Sequence, residues 1–355
     1  MSQNSRRRLP AEWEPLAAVW LAWPHNRNTW PGNFQPIPAF FADFACQVAR
    51  SVPVRLVVPE RLVAEAKSTL AASRDFDARS DIRLHPIPTN DCWIRDYGPL
   101  WVHDSESDDQ IAVDFVYNAW GGKYPPWDDD ARAARAIARL TGHRCESSKL
   151  CLEGGALETD GRGRLLTTKS CLITPTRNRG WTQEVIAGEL HRRLGVTEIV
   201  WLEGVDKDSP LMRGDDTDGH VDQLARFVDP TNVVVAAARD ASDENHASLD
   251  SVYRQLRLWG ASTSPRVDVH RLFAPPPRYV DGQRVPESYC NFLRLGGDRL
   301  LLPSFGSPAS DAPARATMQE LLPACRIETI DCRDLVWGLG ALHCASRDQP
   351  AALGS

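Results

Sequence analysis

The sequence predicts an α/β fold, because helix-like patterns alternate with short β-rich runs along nearly the whole chain. Apolar residues spaced three and four apart predict five helices, at residues 38–51, 128–140, 182–194, 245–259 and 311–322. A further short helix is expected at residues 60–72. The runs between the helices have the composition of strands and lie at residues 18–23, 54–58, 82–87, 100–102, 111–117, 164–173, 198–201, 232–237, 267–272, 291–295, 300–303 and 327–330.

The order of these elements repeats. Two strands, a helix and a third strand recur about every 55 to 70 residues, with a longer first unit. This rhythm favours several similar α/β modules over one long parallel sheet, and five modules arranged radially would place their inner loops around one axis. No linker, low-complexity segment or break in composition divides the chain. We therefore expect a single domain spanning residues 1–355, with loose ends at residues 1–8 and 349–355.

The composition limits the classes of function. The chain has 355 residues, of which 42% are apolar and 25% charged, and a net charge of −6. This charge argues against a nucleic-acid or anionic membrane surface and is compatible with a cationic small molecule as the partner. No apolar run approaches the ~18 residues that suggest a membrane span. The polar, basic N-terminus has no apolar region behind it, so the expected location is the cytoplasm.

Cysteines and tryptophans each leave two interpretations open. The nine cysteines form no Cys-x-x-Cys pair, so most are interpreted as small buried side chains in a reducing compartment. Trp23, Trp30, Trp93 and Trp120 lie close to Pro, Gly, Asn or Asp. Indole rings in such loop-like contexts suit stacking on a flat or cationic ligand, and filling of the core is the alternative for each of them.

The most concentrated group of charges lies at residues 215–223. This segment holds His220 and four carboxylates, at Asp215, Asp216, Asp218 and Asp222. It leads into residues 224–228, which alternate apolar and polar side chains like a strand. If that strand begins near Val221, His220 and Asp222 face the same space. The alternative is a solvated turn before an edge strand.

Three further segments supply possible partners for this imidazole and carboxylate. Residues 89–99 form a charged turn closed by Gly-Pro that holds the carboxylates of Asp91 and Asp96, and the alternative is a turn closed by an Asp–Arg pair. Residues 152–155 place Glu153 before two glycines, which allow close approach of the backbone. Residues 337–344 are rich in glycine and end at Cys344, whose alternative role is a core side chain.

Together the four segments have the groups that chemistry on a guanidinium needs. Carboxylates hold the planar fork of N–H donors in bidentate contacts. A thiolate can attack the central carbon, and a histidine can protonate the departing ammonia and then activate water.

The residues of these segments resemble the agmatine deiminase family, within the wider group of guanidino-modifying enzymes that includes bacterial peptidylarginine deiminases. The resemblance covers nearly the whole chain. The matching segments occur in the family's order, at residues 10–15 with 20–24, 90–99, 115–122, 152–155, 219–222, 288–292 and 338–344.

This resemblance implies a five-bladed α/β propeller with the active site on its axis. It implies hydrolysis of agmatine to N-carbamoylputrescine and ammonia through a covalent cysteine intermediate, in polyamine biosynthesis or agmatine catabolism, with no metal or organic cofactor. At the matching positions it implies that Cys344 is the nucleophile and His220 the general acid and base. It further implies that Glu153 orients His220 and that Asp96 and Asp222 grip the guanidinium.

Two departures from the family's pattern put the substrate in question. Leu339 interrupts what are usually three consecutive glycines, and residues 345–348 replace a run that typically contains Thr and Gln. The first is expected to alter backbone freedom beside the thiol, and the second to alter the entrance.

Four residues are expected to contact or enclose the part of the substrate that lies beyond the guanidinium. Asp216 and Asp218 are expected to meet a distal ammonium, Trp93 to cover the methylenes and Tyr97 to close the mouth. Since the segment 215–222 is acidic, a doubly cationic substrate is favoured over free arginine. The two basic residues in the motifs, Arg95 and Arg347, are interpreted as a turn partner and an entrance residue.

Alternative functions follow from the same residues. One is deimination of peptidyl-arginine or another guanidino compound. A second is a metal-dependent hydrolase, because His220, Asp222, Cys344 and Glu153 are all possible zinc or iron ligands. A third is a propeller that binds cationic ligands without chemistry. A homo-oligomeric state is left open.

Overall fold

Short strands and amphipathic helices alternate along the chain in the computed structural model, which describes residues 6–106, 109–205 and 210–352. The strands, numbered in chain order, are β1 (Arg7–Arg8), β2 (Leu16–Ala22), β3 (Val54–Val57), β4 (Ile82–His85), β5 (Leu100–Asp104), β6 (Asp109–Val116), β7 (Arg144–Cys151), β8 (Glu158–Thr159), β9 (Arg164–Thr168), β10 (Glu198–Leu202), β11 (Ala225–Asp229), β12 (Asn232–Ala237), β13 (Asp268–Phe273), β14 (Tyr279–Val280), β15 (Gln283–Arg284), β16 (Leu293–Arg294), β17 (Arg299–Ser304), β18 (Arg326–Asp331) and β19 (Ser346–Pro350).

The helices divide into longer ones and single turns. The longer helices are α1 (Ile37–Ala49), α2 (Val63–Ala72), α5 (Asp130–Thr141), α8 (Gln183–Leu194), α10 (His246–Ser262) and α11 (Pro308–Leu321). The single turns are α3 (Ile94–Tyr97), α4 (Ala119–Gly122), α6 (Lys169–Leu172), α7 (Pro175–Asn178) and α9 (Val221–Leu224), with 3-10 turns at Arg27–Thr29, Glu60–Leu62, Gly154–Ala156 and Leu335–Gly338. All six predicted helices are present within a few residues of their expected bounds. None of the helices in the described ranges has the length and apolarity that a bilayer crossing demands.

Five of the sheets share one pairing pattern. In each, the first strand is antiparallel to the second, and the second is parallel to the third. One of the longer helices connects the second strand to the third, as a parallel crossover requires. The five sets are β5-β6-β7, β8-β9-β10, β11-β12-β13, β16-β17-β18 and β19-β2-β3, while β1 and β4 extend two of these sheets and β14-β15 form a separate hairpin. The expected rhythm of mixed α/β modules is confirmed.

The fifth sheet joins the two ends of the chain. Strand β19 pairs with β2, and Trp20 Nε1 donates a hydrogen bond to Gln349 Oε1 at 2.9 Å. Strand β1 pairs with β5 through Arg7 and Arg8. These residues therefore depart from the expectation of loose ends, because their backbone groups are satisfied in sheets. Residues 1–5 and 353–355 lie outside the described residues.

A turn precedes the first strand of each of the five sheets, and these turns carry the candidate site residues. Asp96 lies in α3 before β5, and Glu153 directly precedes the Gly154–Ala156 turn before β8. His220 precedes α9, which leads to β11. Asn291 comes before β16, and Cys344 comes before β19.

Sequence reasoning misplaced some elements near the site. The strand expected from Val221 is the single helical turn α9, and the strand begins only at Ala225. The strand expected at residues 164–173 ends at Thr168, whose side-chain oxygen accepts a hydrogen bond from Cys171 N and caps α6. Trp23 and Trp30 are fully buried core residues, so filling of the core is the correct interpretation for both.

Candidate active site

Cys344 lines a cavity and is held by several hydrogen bonds. Its side chain is 8% exposed. Asn291 Nδ2 donates to Cys344 Sγ at 3.1 Å, while Asn291 Oδ1 accepts the backbone N–H groups of His343 and Cys344 at 3.1 and 3.3 Å. Burial, followed by the negative charges of Asp222 and Asp96, raises the pKa of the Cys344 thiol well above its usual value. The thiol is therefore protonated at neutral pH when no cation is bound.

Asp96, His220 and Asp222 converge on Gly155. A Cβ atom on Gly155 would lie 2.6 Å from His220 Nδ1, 2.9 Å from Asp96 Oδ1 and 3.0 Å from Asp222 Oδ2. Gly155 N also donates to Asp96 Oδ1 at 2.9 Å. Any side chain here would displace the three groups, so the close backbone approach expected of this glycine is present.

The two carboxylates beside Gly155 differ in their electrostatics. Burial is the main cause that raises the pKa of Asp96, and Asp222 raises it further, while His220 opposes the shift. Burial also acts to raise the pKa of Asp222, but the hydrogen bond and charge of His343 outweigh it, and the pKa lies below its usual value. Trp120 Nε1 donates to Asp96 Oδ2 at 2.9 Å. Both carboxylates are thus fixed beside Gly155, and of the two only Asp96 is among the described residues that line the cavity.

His220 is a buried imidazole between carboxylates. Its Nδ1 lies 3.6 Å from Asp96 Oδ1, and its Nε2 lies 3.7 Å from Glu153 Oε2. Burial lowers the pKa of His220, yet the charge of Asp96 and the contacts with Cys171 and Glu153 raise it well above its usual value. The imidazole is therefore cationic at neutral pH and has a proton available for a leaving group.

Glu153 is held by an arginine that sequence reasoning did not identify. Arg177 Nε donates to both carboxylate oxygens of Glu153 at 2.8 and 2.9 Å. Although burial acts to raise it, the charge of Arg177 together with His220 lowers the pKa of Glu153 to about 2. Arg177 also bridges to Asp218 Oδ2 at 2.6 Å. The orientation of Glu153 beside His220 is therefore set by Arg177.

The described residues contain one group that could hold a metal ion, and it differs from the expected one. Glu153, Cys171 and His220 have ligand atoms within 4.8 Å of one another. Asp222 and Cys344 are not part of this group. Because the Arg177 guanidinium contacts both Glu153 oxygens, a metal cation there would face a positive charge at short range.

The cavity above Cys344 has a volume of about 360 Å³. Its lining combines aromatic rings with carboxylates, and none of the described residues that line it is Lys, Arg or His. The lining residues that matter here are Asp91, Asp96, Asp216, Asp281, Trp93, Trp120, Leu339 and Cys344. Such a cavity suits a cation with an apolar middle.

Of the four residues predicted to read the distal end, two line the cavity and two do not. Trp93 lines the cavity and packs against Trp30, with ring centroids 5.5 Å apart. Asp216 also lines it, and Tyr124 Oη donates to Asp216 Oδ2 at 2.6 Å. Burial first, then Asp215, raises the pKa of Asp216 to about 6.

Asp218 and Tyr97 lie apart from this lining. The carboxylate of Asp218 is paired with Lys123 Nζ at 2.7 Å and with Arg177 Nη1 at 2.6 Å. Tyr97 is buried, and its Oη donates to Asp91 O at 2.7 Å. The structure therefore does not bring Asp218 or Tyr97 to the position that a distal ammonium or a mouth-closing ring would require.

The two motif arginines have structural partners other than those expected. Arg95 is buried and forms ion pairs with Glu12 and Asp348 at 2.9 and 2.7 Å, rather than with an aspartate of its own turn. Arg347 is also buried, and its Nε donates to Pro99 O at 2.8 Å. Arg347 is therefore not an entrance residue.

Leu339 has a strained backbone beside the thiol. Its φ of +67° lies in the left-handed region, which a branched side chain rarely adopts. The flanking glycines are required for a different reason: a Cβ on Gly338 would lie 2.6 Å from the Trp30 ring, and one on Gly340 would lie 2.6 Å from the Trp93 ring. The interruption of the glycine run thus places an apolar side chain in the cavity wall.

Several residues of the site carried no assigned role in the sequence. Asn291 and Glu12 lie in segments 288–292 and 10–15, which contributed only to the family resemblance. His343 precedes the nucleophile, and Arg177 lies outside every motif. Residue type alone did not single out these four, because each acts through a partner distant in the chain.

Comparisons with known proteins show the family to which the chain belongs. The family model for Porphyromonas-type peptidyl-arginine deiminase matches residues 8–350. The agmatine deiminase of Pseudomonas aeruginosa (strain LESB58) is 33% identical over 367 residues, covering 97% of this chain and 95% of the relative. That of Ectopseudomonas mendocina (strain ymp) is 32% identical over 371 residues, covering 98% and 96%. The solved structure of the agmatine deiminase of Enterococcus faecalis has a TM-score of 0.86 at 26% identity and covers 98% of this chain and 96% of its own.

The match to the family model extends over nearly all of the described chain, and these relatives exceed 30% identity at almost full coverage. The resemblance expected from the motifs is confirmed. The chain belongs to the Porphyromonas-type peptidyl-arginine deiminase family, with agmatine deiminases among its relatives, and is a hydrolase acting on carbon–nitrogen bonds of amidine and guanidino groups.

Proposed function

We propose that this chain hydrolyses agmatine to N-carbamoylputrescine and ammonia through a covalent intermediate on Cys344. The observation that carries the proposal is the convergence of Asp96, His220 and Asp222 on Gly155, with Asp222 Oδ2 3.6 Å from Cys344 Sγ. The names of the relatives support agmatine as the substrate. The reaction would serve putrescine formation or agmatine catabolism.

The carboxylates bind and orient the guanidinium. Asp222 Oδ1 is buried without a hydrogen-bond partner in the described part of the chain, so it is available for one N–H of the substrate. Asp96 accepts from Trp120 and Gly155 and retains the charge to pair with a second N–H. Two carboxylates around a planar cation fix the guanidinium carbon relative to the thiol.

Binding of the substrate also activates the nucleophile. The negative charges that raise the pKa of Cys344 are those that the guanidinium neutralises. Once the cation is bound, the thiol therefore loses its proton more readily, and the thiolate is the attacking species. A protonated thiol in the empty site is thus compatible with nucleophilic catalysis.

Each half-reaction moves one proton through His220. The Cys344 sulfur bonds to the guanidinium carbon, and collapse of the tetrahedral adduct breaks the bond to an amine nitrogen that leaves as ammonia with a proton from His220. Water then attacks the amidino-thioether while His220 accepts a proton from it. Collapse of this second adduct breaks the carbon–sulfur bond, the hydroxyl proton of the adduct passes to the departing sulfur, and the ureido product is released. Glu153, held by Arg177, keeps the imidazole oriented.

The charge of the cavity favours agmatine over free arginine. Four aspartates line it, and none of its described lining residues is basic. Lys123 approaches the mouth, but its ammonium is paired with Asp218 and with the Asp216 carbonyl. An α-carboxylate in this cavity would find no cation among the described lining residues, whereas a distal ammonium would be attracted.

The overall arrangement forms part of the same proposal. The shared pairing of five sheets, and the contacts among the turns that precede them, support five blades around one axis with the site at the centre. A single catalytic domain then spans residues 1–355. The antiparallel pairing of β19 with β2 supports closure of the fifth blade by both ends of the chain.

A colorimetric assay for the ureido product tests the reaction and the substrate together. The panel is agmatine, free arginine, a blocked arginine peptide and a longer guanidino-amine, each with wild type and with Cys344→Ser as the matched control. We expect the highest kcat/KM for agmatine and no turnover by Cys344→Ser, which should still bind agmatine. A higher kcat/KM for the peptide than for agmatine would show that peptidyl-arginine is the preferred substrate. Turnover by Cys344→Ser would overturn the proposed mechanism.

Labelling separates this proposal from its alternatives. A haloacetamidine carries the amidinium group and an alkylating carbon, so it should modify Cys344 selectively, and agmatine should protect the thiol. A non-catalytic binding protein would show no such selectivity. A metal-dependent hydrolase using Glu153, Cys171 and His220 would contain stoichiometric metal and lose its activity on chelation.

A further inference from the structure

His343, next to the nucleophile, is buried between two carboxylates. Its Nδ1 lies 2.7 Å from Asp222 Oδ2, and its Nε2 lies 2.7 Å from Glu12 Oε1. The side chain is 1% exposed. An ionised carboxylate can only accept hydrogen bonds. Each ring nitrogen of His343 lies within hydrogen-bonding distance of one carboxylate oxygen, so the ring bridges Asp222 and Glu12.

Glu12 is itself rigidly held on the far side of this bridge. Arg95 Nη1 donates to Glu12 Oε1 at 2.9 Å, and Arg226 Nη2 donates to Glu12 Oε2. Arg226 is fixed in turn by Glu158, whose Oε2 accepts from Nε at 2.5 Å. Rotation of Glu12 away from His343 would therefore deprive each of two buried guanidinium groups of one of its two anionic partners.

The bridge fixes the carboxylate that faces the nucleophile. His343 occupies Asp222 Oδ2, and Asp222 Oδ1 has no partner within the described residues. A carboxylate that is held through one oxygen keeps the other in a defined position. The contact that holds Asp222 Oδ2 comes from the ring of His343, and both residues are fully buried.

We propose that His343 is a positioning residue that presents Asp222 Oδ1 to the guanidinium, and that Glu12 anchors His343 from the N-terminal segment. This inference rests on the deimination proposed above. It gives a function to residues 10–15, which lie more than three hundred residues from Cys344 along the chain.

Two substitutions at His343 separate its two contacts. The amide nitrogen of Asn lies near the position of Nδ1, so His343→Asn keeps a donor for Asp222. The longer amide of Gln lies near Nε2, so His343→Gln keeps the contact with Glu12 and loses that with Asp222. Each is measured in two backgrounds: the active enzyme for kcat and KM, and Cys344→Ser for the Kd of agmatine.

The expected result is an ordering of the two variants. His343→Gln should weaken agmatine binding about tenfold to a hundredfold, the loss expected for a hydrogen bond to a charged group. His343→Asn should weaken it by about threefold or less, because the donor to Asp222 is retained. Equal losses in the two variants would overturn the positioning role. If His343 only stabilised the fold, agmatine binding would not depend on whether the donor to Asp222 or the donor to Glu12 is kept.

A matched pair in the N-terminal segment tests the anchor. Glu12→Gln removes the charge beside His343, whereas Glu14→Gln removes a carboxylate that pairs with Arg8 and does not touch His343. We expect kcat/KM for agmatine to fall about threefold to tenfold in Glu12→Gln and to be unchanged in Glu14→Gln. Equal values in the pair would overturn the anchor. This comparison decides the matter if the His343 variants do not fold.

The failure of the inference and that of the proposed function are distinguishable. If wild type releases no ureido product from any guanidino compound, the proposed function fails and the inference with it. If wild type deiminates agmatine while the Asn and Gln variants bind it equally, only the inference fails. Thermal melts of all four variants, compared with wild type, show whether each protein is folded at the assay temperature.

Discussion

Asp222 Oδ2 lies 3.6 Å from Cys344 Sγ, so the group proposed to bind the guanidinium also opposes ionisation of the thiol. After burial, the charge of Asp222 is the largest cause that raises the pKa of Cys344. The proposed role of Asp222 therefore couples substrate binding to thiol reactivity, because a bound cation would neutralise the charge that opposes ionisation of Cys344.

Asp222→Asn is expected to change these two properties in opposite directions. Loss of the negative charge lowers the pKa of Cys344, so alkylation by neutral iodoacetamide at pH 7 should become faster. Deimination should slow by more than about tenfold, because a hydrogen bond to a charged group is lost. Mass spectrometry of the Cys344 peptide against time measures the alkylation, and exposed Cys145 is the internal reference. Slower alkylation in Asp222→Asn would contradict this coupling.

Gly155→Ala is expected to abolish most activity. The added Cβ would lie 2.6 Å from His220 Nδ1 and 2.9 Å from Asp96 Oδ1, well inside van der Waals contact. These groups must move, and small displacements of catalytic groups reduce rates about a hundredfold. Activity near that of wild type would show that the packing at Gly155 is looser than the structure indicates.

Gly188→Ala is the matched control for this substitution. Gly188 lies within α8, is exposed, and has open space around the position of a Cβ. Replacement of glycine by alanine in an exposed helix interior should leave kcat/KM unchanged and raise the free energy of unfolding by about 1 kcal/mol. Urea unfolding monitored by circular dichroism measures that change.

The secondary structure could be predicted where one face of an element is buried. Helix α8 was expected at residues 182–194 and is present at Gln183–Leu194. Strand β7 was not predicted, because its first residues are mostly polar and partly exposed. The hairpin β14-β15 was also missed, although Asp281 and Gly282 have the positive φ angles of a tight turn.

The candidate site could be predicted only in part, because its supporting contacts join distant parts of the sequence. The motifs and the family resemblance singled out Cys344, His220 and Asp96, and the structure brings them to one place, while their roles stay predictions. The ring of His343 reaches Glu12 across 331 residues. Such contacts depend on how the sheets are arranged in space, which residue spacing does not indicate.

The pH dependence of agmatine binding is expected to report the ionisation of Asp216. Burial raises the pKa of this carboxyl to about 6, so it is charged at pH 7 and largely neutral at pH 5. Its attraction for a distal ammonium is therefore lost as the pH falls through 6. The ratio of kcat/KM for agmatine to that for butylguanidine, which lacks the ammonium, should fall roughly twofold to fivefold, as for a partly exposed ion pair.

Variants at two neighbouring aspartates control this measurement. In Asp216→Asn the ratio should be low and should not change between pH 5 and pH 7. Asp218→Asn should retain the pH dependence of wild type, because Asp218 is paired with Lys123 and Arg177 and does not line the cavity. If the pH dependence of the ratio were lost in Asp218→Asn and kept in Asp216→Asn, Asp218 and not Asp216 would be the residue that contacts the distal ammonium.

Leu339 is expected to limit both the size of the substrate and the stability of the loop beside the thiol. Its side chain lines the cavity, and its φ is +67°. Leu339→Gly and Leu339→Ala both remove the side chain beyond Cβ. The left-handed backbone conformation costs a residue that has a Cβ about 1–2 kcal/mol, so only the glycine variant relieves this strain. The glycine is more flexible in the unfolded chain, which offsets about 0.4–1 kcal/mol of that gain. Leu339→Gly should therefore be more stable than Leu339→Ala by up to about 1.6 kcal/mol. Both variants should raise the kcat/KM of a blocked arginine peptide relative to that of agmatine. Urea unfolding and the ureido assay measure the two effects, and an increase for the peptide in Leu339→Gly alone would assign the selectivity to backbone strain and not to the width of the cavity.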